Sequence, residues 1–148
     1  MASTVKIVLE EANVDFRNAG STTFRKEDQE RGFEPDSSVY IRNVDRVRCK
    51  KKLDMSTDPP PDLLIEVDLT SDSLDKFPLY ALAVPEVWRY KDSLEIFVLD
   101  NGEHVQRSSS VALPMLTAEL VTAWVKSSLT EKRPTWLGQV RRAVRSAL

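Results

Sequence analysis

Acidic residues standing inside an apolar strand are the first in this chain that could do chemistry. In the run PPPDLLIEVD, residues 59–68, the two-residue period sets Asp62, Glu66 and Asp68 on one side and Leu63, Ile65 and Val67 on the other. Ionised carboxylates stay in such a strand only when something pairs with them. A divalent cation is one such partner, and a salt bridge to Arg42 or Arg46 is the structural alternative. Asp36, with Glu34, supplies a second acidic point just before another strand, where an Asx-type turn residue is the bland reading. Two acids from neighbouring strands can share one ion. Lys76, ten residues after Glu66, can bring an ammonium back over the strand end or simply solubilise the surface.

Other chemistries fall away on composition. With Cys49 the single cysteine and His104 the single histidine, neither an internal disulfide nor a Cys/His zinc site can form, and a Ser-His-Asp or Cys-His hydrolase is nearly excluded. What remains is carboxylates, lysines and a hard, oxygen-loving metal. The net charge of −2 conceals an uneven spread. Arg42, Arg46, Arg48, Lys50, Lys51 and Lys52 stand against Asp45, while Lys126, Lys132, Arg133, Arg141, Arg142 and Arg145 stand against Glu131. Acids gather instead between Asp54 and Asp75. Basic residues beside an acidic cluster suit an enzyme that cuts phosphodiesters, although either basic run alone also reads as a solvated face.

The elements that must position these residues belong to one domain spanning residues 1–148. The length is that of a single compact unit, and 41% hydrophobic with 30% charged residues is a globular balance. There is no internal repeat and no linker-like stretch. No apolar run approaches bilayer length and the start lacks a secretory pattern, so the expected place is the cytoplasm, away from membranes. Residues 5–16 carry a short helical face, with a strand as the alternative. A turn at residues 20–24 leads into a strand, residues 32–36 break the chain, and a second strand begins near residue 38. Residues 63–67 form the central strand, residues 74–83 a short helix, and residues 87–90 and 94–99 two further strands. Asp100-Asn101-Gly102-Glu103 is a tight hairpin. Thr117 caps one helix, and Trp136, Leu137, Val140 and Val144 mark another. Strands around a short helix with helices last make an α/β (α+β) domain.

Several of these segments, in this order, resemble the Uma-two family of endonucleases, part of the PD-(D/E)XK restriction-endonuclease-like superfamily and abundant in cyanobacteria. They are Gly-Ser-Thr-Thr-Phe at 20–24, Gly-Phe-Glu-Pro-Asp at 32–36, Tyr40-Ile41-Arg42-Asn43, PPPDLLIEVD, Asp75-Lys76-Phe77-Pro78 with Tyr80, and VPEVWRY at 84–90. The resemblance runs from Gly20 to the last helices. It implies a mixed β-sheet flanked by helices.

The resemblance also implies a site. Asp36 corresponds to the metal-binding Asp and Glu66 to the (D/E), while the position of the usual lysine holds Asp68. Lys76, four residues before Tyr80, matches the pattern of a lysine moved to the following helix. Mg²⁺ or Mn²⁺ is then held by Asp36 and Glu66, with Asp62 either joining them or capping backbone groups. Lys76 orients the nucleophile, and Arg42, Arg48, Lys50, Lys51 and Lys52 grip DNA. Many nucleases of this superfamily act as homodimers. Family members generally carry a helix and a strand before the Gly20 region, the helix holding another acid. This chain starts late by that measure, so either Glu10 or Glu11 substitutes or it is a shortened copy that keeps the fold as a non-catalytic nucleic-acid-binding or interaction module.

Overall fold

Two short apolar runs, Leu63–Val67 and Glu86–Tyr90, pair side by side at the centre of the fold. The structure, a computed structural model, describes residues 1–22, 24–25, 32–54, 56–68, 77 and 84–148. Its strands are β1 (Arg17–Asn18), β2 (Phe24–Arg25), β3 (Gly32–Phe33), β4 (Ser37–Tyr40), β5 (Leu63–Val67), β6 (Glu86–Tyr90), β7 (Leu94–Asp100) and β8 (Glu103–Arg107). Its helices are α1 (Ala2–Glu11), α2 (Val44–Val47), α3 (Ala118–Ser127) and α4 (Arg133–Ala147). Six strands form one mixed sheet in the order β1-β4-β5-β6-β7-β8, and β2 pairs with β3 separately. Within the large sheet β5 and β6 are parallel and every other pair is antiparallel.

Each face of this sheet has its own core. Leu63 and Ile65 of β5, Trp88 of β6 and Ile96 of β7 face a layer built by Val5, Val8 and Leu9 of α1, Val121 of α3, and Trp136, Val140 and Val144 of α4. The opposite face carries a smaller cluster: Leu64 and Val87 with Phe24, Tyr40, Val47 of α2 and Val84. The period of two sorts the residues of β5 between these clusters, so Glu66 lies on the smaller-core face with Leu64. Every large apolar side chain so buried contributes about 1.5–3 kcal/mol. Among the described residues the larger cluster therefore contributes most of the burial that anchors the sheet.

Local signals account for the element ends. The helix expected over residues 5–16 is α1, which stops at Glu11. Asn13 adopts φ 53°, its N–H reaching Glu10 O at 3.1 Å while the Val14 N–H reaches Leu9 O at 2.9 Å, a left-handed helix stop. Asn101 (φ 49°) and Gly102 (φ 80°) make the hairpin turn between β7 and β8 that the Asn-Gly pair predicts. Thr117 caps α3, its hydroxyl accepting the Leu120 N–H at 3.1 Å. Residues 32–33, expected only to break the chain, instead form β3. The helix expected over residues 74–83 lies, apart from Phe77, outside the described residues.

Candidate active site

Antiparallel pairing of β4 with β5 sets Ser37 opposite Ile65. One step further out, Asp36 comes beside the end of β5, and its Oδ2 accepts the Val67 N–H at 2.7 Å. That bond holds an exposed carboxylate next to Glu66, which is 1% exposed. Parallel pairing of β5 with β6 sets Arg89 opposite Glu66, and β7 brings Glu95 opposite Arg89. Arg89 donates from Nε to Asp68 Oδ2 and from Nη1 to Glu95 Oε2, both at 2.6 Å. Asp36, Glu66 and Arg89 thus stand on successive strands at one end of the smaller-core face, with Asp68 and Glu95 ion-paired to the guanidinium. The two ion-pair partners hold Arg89 firmly in its charged form.

The salt bridge considered for the strand acids was to Arg42 or Arg46. Among the described residues Asp68 pairs with Arg89 instead, because the parallel register carries Arg89 to the same end of the sheet. Sequence reasoning passed over Arg89, although a charged residue inside VPEVWRY is the same kind of signal that singled out Glu66.

Asp62 departs from the metal role proposed for it. Its Oδ2 accepts the Ile41 and Arg42 N–H groups at 2.6 and 3.0 Å, capping the end of β4. Four residues of strand separate it from Glu66, about 13 Å at 3.3 Å per residue, so the two carboxylates cannot share an ion. At this same end of the sheet, Glu86 is also 1% exposed. Its Oε1 accepts from Trp88 Nε1 and Ser110 Oγ, both at 2.6 Å, and its Oε2 from the Val111 and Ala112 N–H groups, both at 2.9 Å. Four donors saturate this carboxylate and tie down the loop before α3. A pocket of about 220 Å³ opens here, lined in part by Ile41, Arg42, Pro85, Leu99 and Ala112. It lies at the opposite end of β5 from Glu66.

The basic segment is partly committed to its own protein. Arg48 pairs with Asp15 and, at 3.0 Å, with Asp45, while Lys50 pairs with the buried Asp58. The Lys50 ammonium holds the Asp58 carboxyl below its usual range, aided by the Asp54 N–H at 2.8 Å. Arg42 lines the pocket at the Asp62 end. Lys51 and Lys52 are exposed, beyond α2, which packs Val47 onto the same sheet face as Glu66.

Lys76 and Tyr80 lie outside the described residues. A helix and a short strand, α1 and β1, do precede Gly20. The acids of α1 do not substitute at the site: Glu10 pairs with Lys6, and Glu11 accepts from Arg145 of α4 at 2.7 Å. Both belong to a helix packed on the larger-core face, across the sheet from Glu66. Among the described residues no group of three or more His, Cys, Asp or Glu side chains is arranged to hold a metal. Nor, among them, is any helix long and apolar enough to cross a membrane.

Comparison with known proteins agrees with this architecture. The sequence model of the family Uma2, described as "Putative restriction endonuclease", matches residues 1–130. A solved structure described as a "putative nuclease belonging to DUF820" from Anabaena variabilis ATCC 29413 superposes with a TM-score of 0.53 at 14% identity. The match covers 83% of this chain and 78% of that one. At that identity the likeness speaks for the fold. No curated protein matches the chain.

Proposed function

The chain belongs to the Uma2 family, and from that premise we propose that it is a metal-dependent endonuclease hydrolysing DNA phosphodiester bonds. The observation that carries this reading is the Asp36 carboxylate tied to the Val67 N–H at 2.7 Å, which holds a hard oxygen ligand beside Glu66. Asp36 and Glu66 would hold Mg²⁺ or Mn²⁺, a donor set that suits an ion keeping several of its waters. Such an ion supplies Lewis-acid polarisation of a phosphate oxygen and a water of lowered pKa. Lys76, by family resemblance, orients that nucleophile for in-line attack on phosphorus. Lys51 and Lys52 are exposed and neutralise the phosphate backbone. Arg48 and Lys50 serve first to pin the loop that presents them.

A second reading, a nucleic-acid-binding module without catalysis, is favoured by one feature. Asp68 stands where the superfamily's lysine is usual and is bonded to Arg89. Incubation with supercoiled plasmid separates the two. The nuclease nicks it in Mg²⁺ or Mn²⁺ and not in EDTA, and Glu66→Gln abolishes nicking by removing a ligand charge at nearly constant size. Salt-dependent DNA binding by the wild type with no nicking under any of these conditions leaves the binder.

A further inference from the structure

The basic tail singled out in the sequence plays no part in the acid site. In α4, Trp136, Val140 and Val144 are buried against the larger core, and the Trp136 Nε1–H donates to Trp124 O at 2.7 Å, which fixes the rotation of the helix. Arg133, Arg141, Arg142 and Arg145 are thereby all left exposed. Residues 131–148 hold Lys132 and these four arginines against the single acid Glu131, in a chain whose net charge is −2, so the remainder is acidic. The family match stops at residue 130, just before this helix.

Folding explains only part of the charge. Arg145 donates to Glu11 at 2.7 Å, Arg141 lies 3.7 Å from the same carboxylate, and a cation in the last turn suits the helix dipole. Arg133 and Arg142 have no ion-pair partner among the described residues, and Lys132 and Arg133 sit at the end of the helix where a cation opposes the dipole. On the outer side of the helix, opposite Trp136, Val140 and Val144, lies a shallow depression lined by Pro134, Thr135, Gly138, Arg141, Arg142 and Arg145, whereas Arg133, half a turn round from Arg142, is not part of it. Nothing stands within 4 Å of where a Gly138 Cβ would be. An extended anion can therefore approach the helix surface itself. The apolar stripe of α4 is spent on the core, so the helix has no face left to insert into a lipid surface.

We propose that the outer face of α4 binds the phosphate backbone of duplex DNA, at a site separate from the acid pair. This rests on the nucleic-acid reading above, though not on catalysis. Because α4 covers the larger-core face and Glu66 lies on the other, the duplex held by α4 is a different segment from one presented to Glu66. The helix acts as a tether that keeps the protein on DNA.

Binding of a fluorescent duplex in EDTA, where no cutting competes, tests this. R142E, on the outer face, should bind about threefold more weakly at low salt, and its log–log salt slope should be shallower by about 1, near 0.9 for the lost phosphate contact. R142K should behave like the wild type, because a non-specific backbone contact needs charge and not the guanidinium fork. Arg142 is exposed, so the thermal midpoint of each variant should stay close to that of the wild type and confirm folding. Equal affinity and slope in R142E overturn the proposal. So does retention of wild type on phosphatidylserine vesicles that R142E loses while its duplex binding is unchanged. Loss of nicking with α4-dependent binding intact defeats only the nuclease reading. Nicking with α4-independent binding defeats only this one.

Discussion

Glu66 and Glu86 stand on neighbouring parallel strands, both 1% exposed, and serve opposite ends. Glu86 begins β6 and faces the larger core, where two side-chain and two backbone donors saturate it. Glu66 ends β5 on the other face, beside Asp36 and opposite Arg89. Asp62 and Asp68 repeat the contrast on a single strand, the first capping backbone N–H groups and the second bonded to a side-chain cation. The lesson is that an acid inside a strand does not by itself mark a site. What its oxygens accept from does. A carboxylate with both oxygens filled, as in Glu86, is scaffold, whereas Asp68 and Glu95, held against the Arg89 guanidinium, keep a charged cluster beside Asp36, whose single amide bond leaves an exposed oxygen for a cation.

The largest effect that could break this comparison is expected at Arg89. Removing it in Arg89→Met takes the shared guanidinium from Asp68, whose side chain is 3% exposed, and from Glu95. Denaturant unfolding should show a loss of about 3–5 kcal/mol. Neutralising both partners in Asp68→Asn/Arg89→Met should recover a large part of it; no recovery would mean that Arg89 stabilises by packing and not by charge.

At the opposite end, Glu86→Gln keeps the shape but puts an NH₂ among donors. The same measurement should give a loss of about 2–3 kcal/mol, since at least one buried donor loses its acceptor. A neutral outcome would remove Glu86 from the scaffold. Asp62→Asn sharpens the assignment of that end further, because Asn can still accept at one oxygen. It should cost about 1 kcal/mol and leave plasmid nicking in Mg²⁺ intact. Abolished nicking would return Asp62 to the metal site.

The smallest effect is a pH dependence. His104 bonds through Nε2 to Val84 O at 2.9 Å, its Nδ1 is buried with no partner among the described residues, and burial lowers its pKa from 6.5. The unfolded chain therefore binds a proton at higher pH than the folded one. Stability should be full above about pH 6.5 and decline as the pH falls below it, by at most about 1.4 kcal/mol per unit. Thermal midpoints between pH 5 and 7 should show this slope in the wild type, and His104→Leu should flatten it.

Much of the fold was legible along the chain because its signals are local. The alternation in residues 63–67, the Asn-Gly turn, the Thr117 cap and the spacing of Trp136, Val140 and Val144 each depend on neighbours a few residues away, and each element formed where expected. The motifs from Gly20 to VPEVWRY were likewise sufficient for the family. The site was legible in part: the acids stood out by type, yet their partners did not.

Which acid faces which partner depends on register, and register joins residues far apart in sequence. Asp36 reaches Val67 across 31 positions, Arg89 reaches Asp68 across 21, and Glu86 reaches Ala112 across 26. A single-residue slip in any of these pairings would turn the side chains to the other face of the sheet. The same holds for the basic residues, whose sequence clustering predicted one surface. Packing of α2 and of the 50–58 loop commits Arg48 and Lys50 to Asp45 and Asp58, while burial of one side of α4 turns its arginines outward. The amino-acid sequence by itself determined the elements, the family and the candidate acids, because those follow from local spacing and residue type. Only the tertiary structure decided which carboxylates are scaffold, which stand together, and which cations remain free, because those are settled by pairing across the sheet.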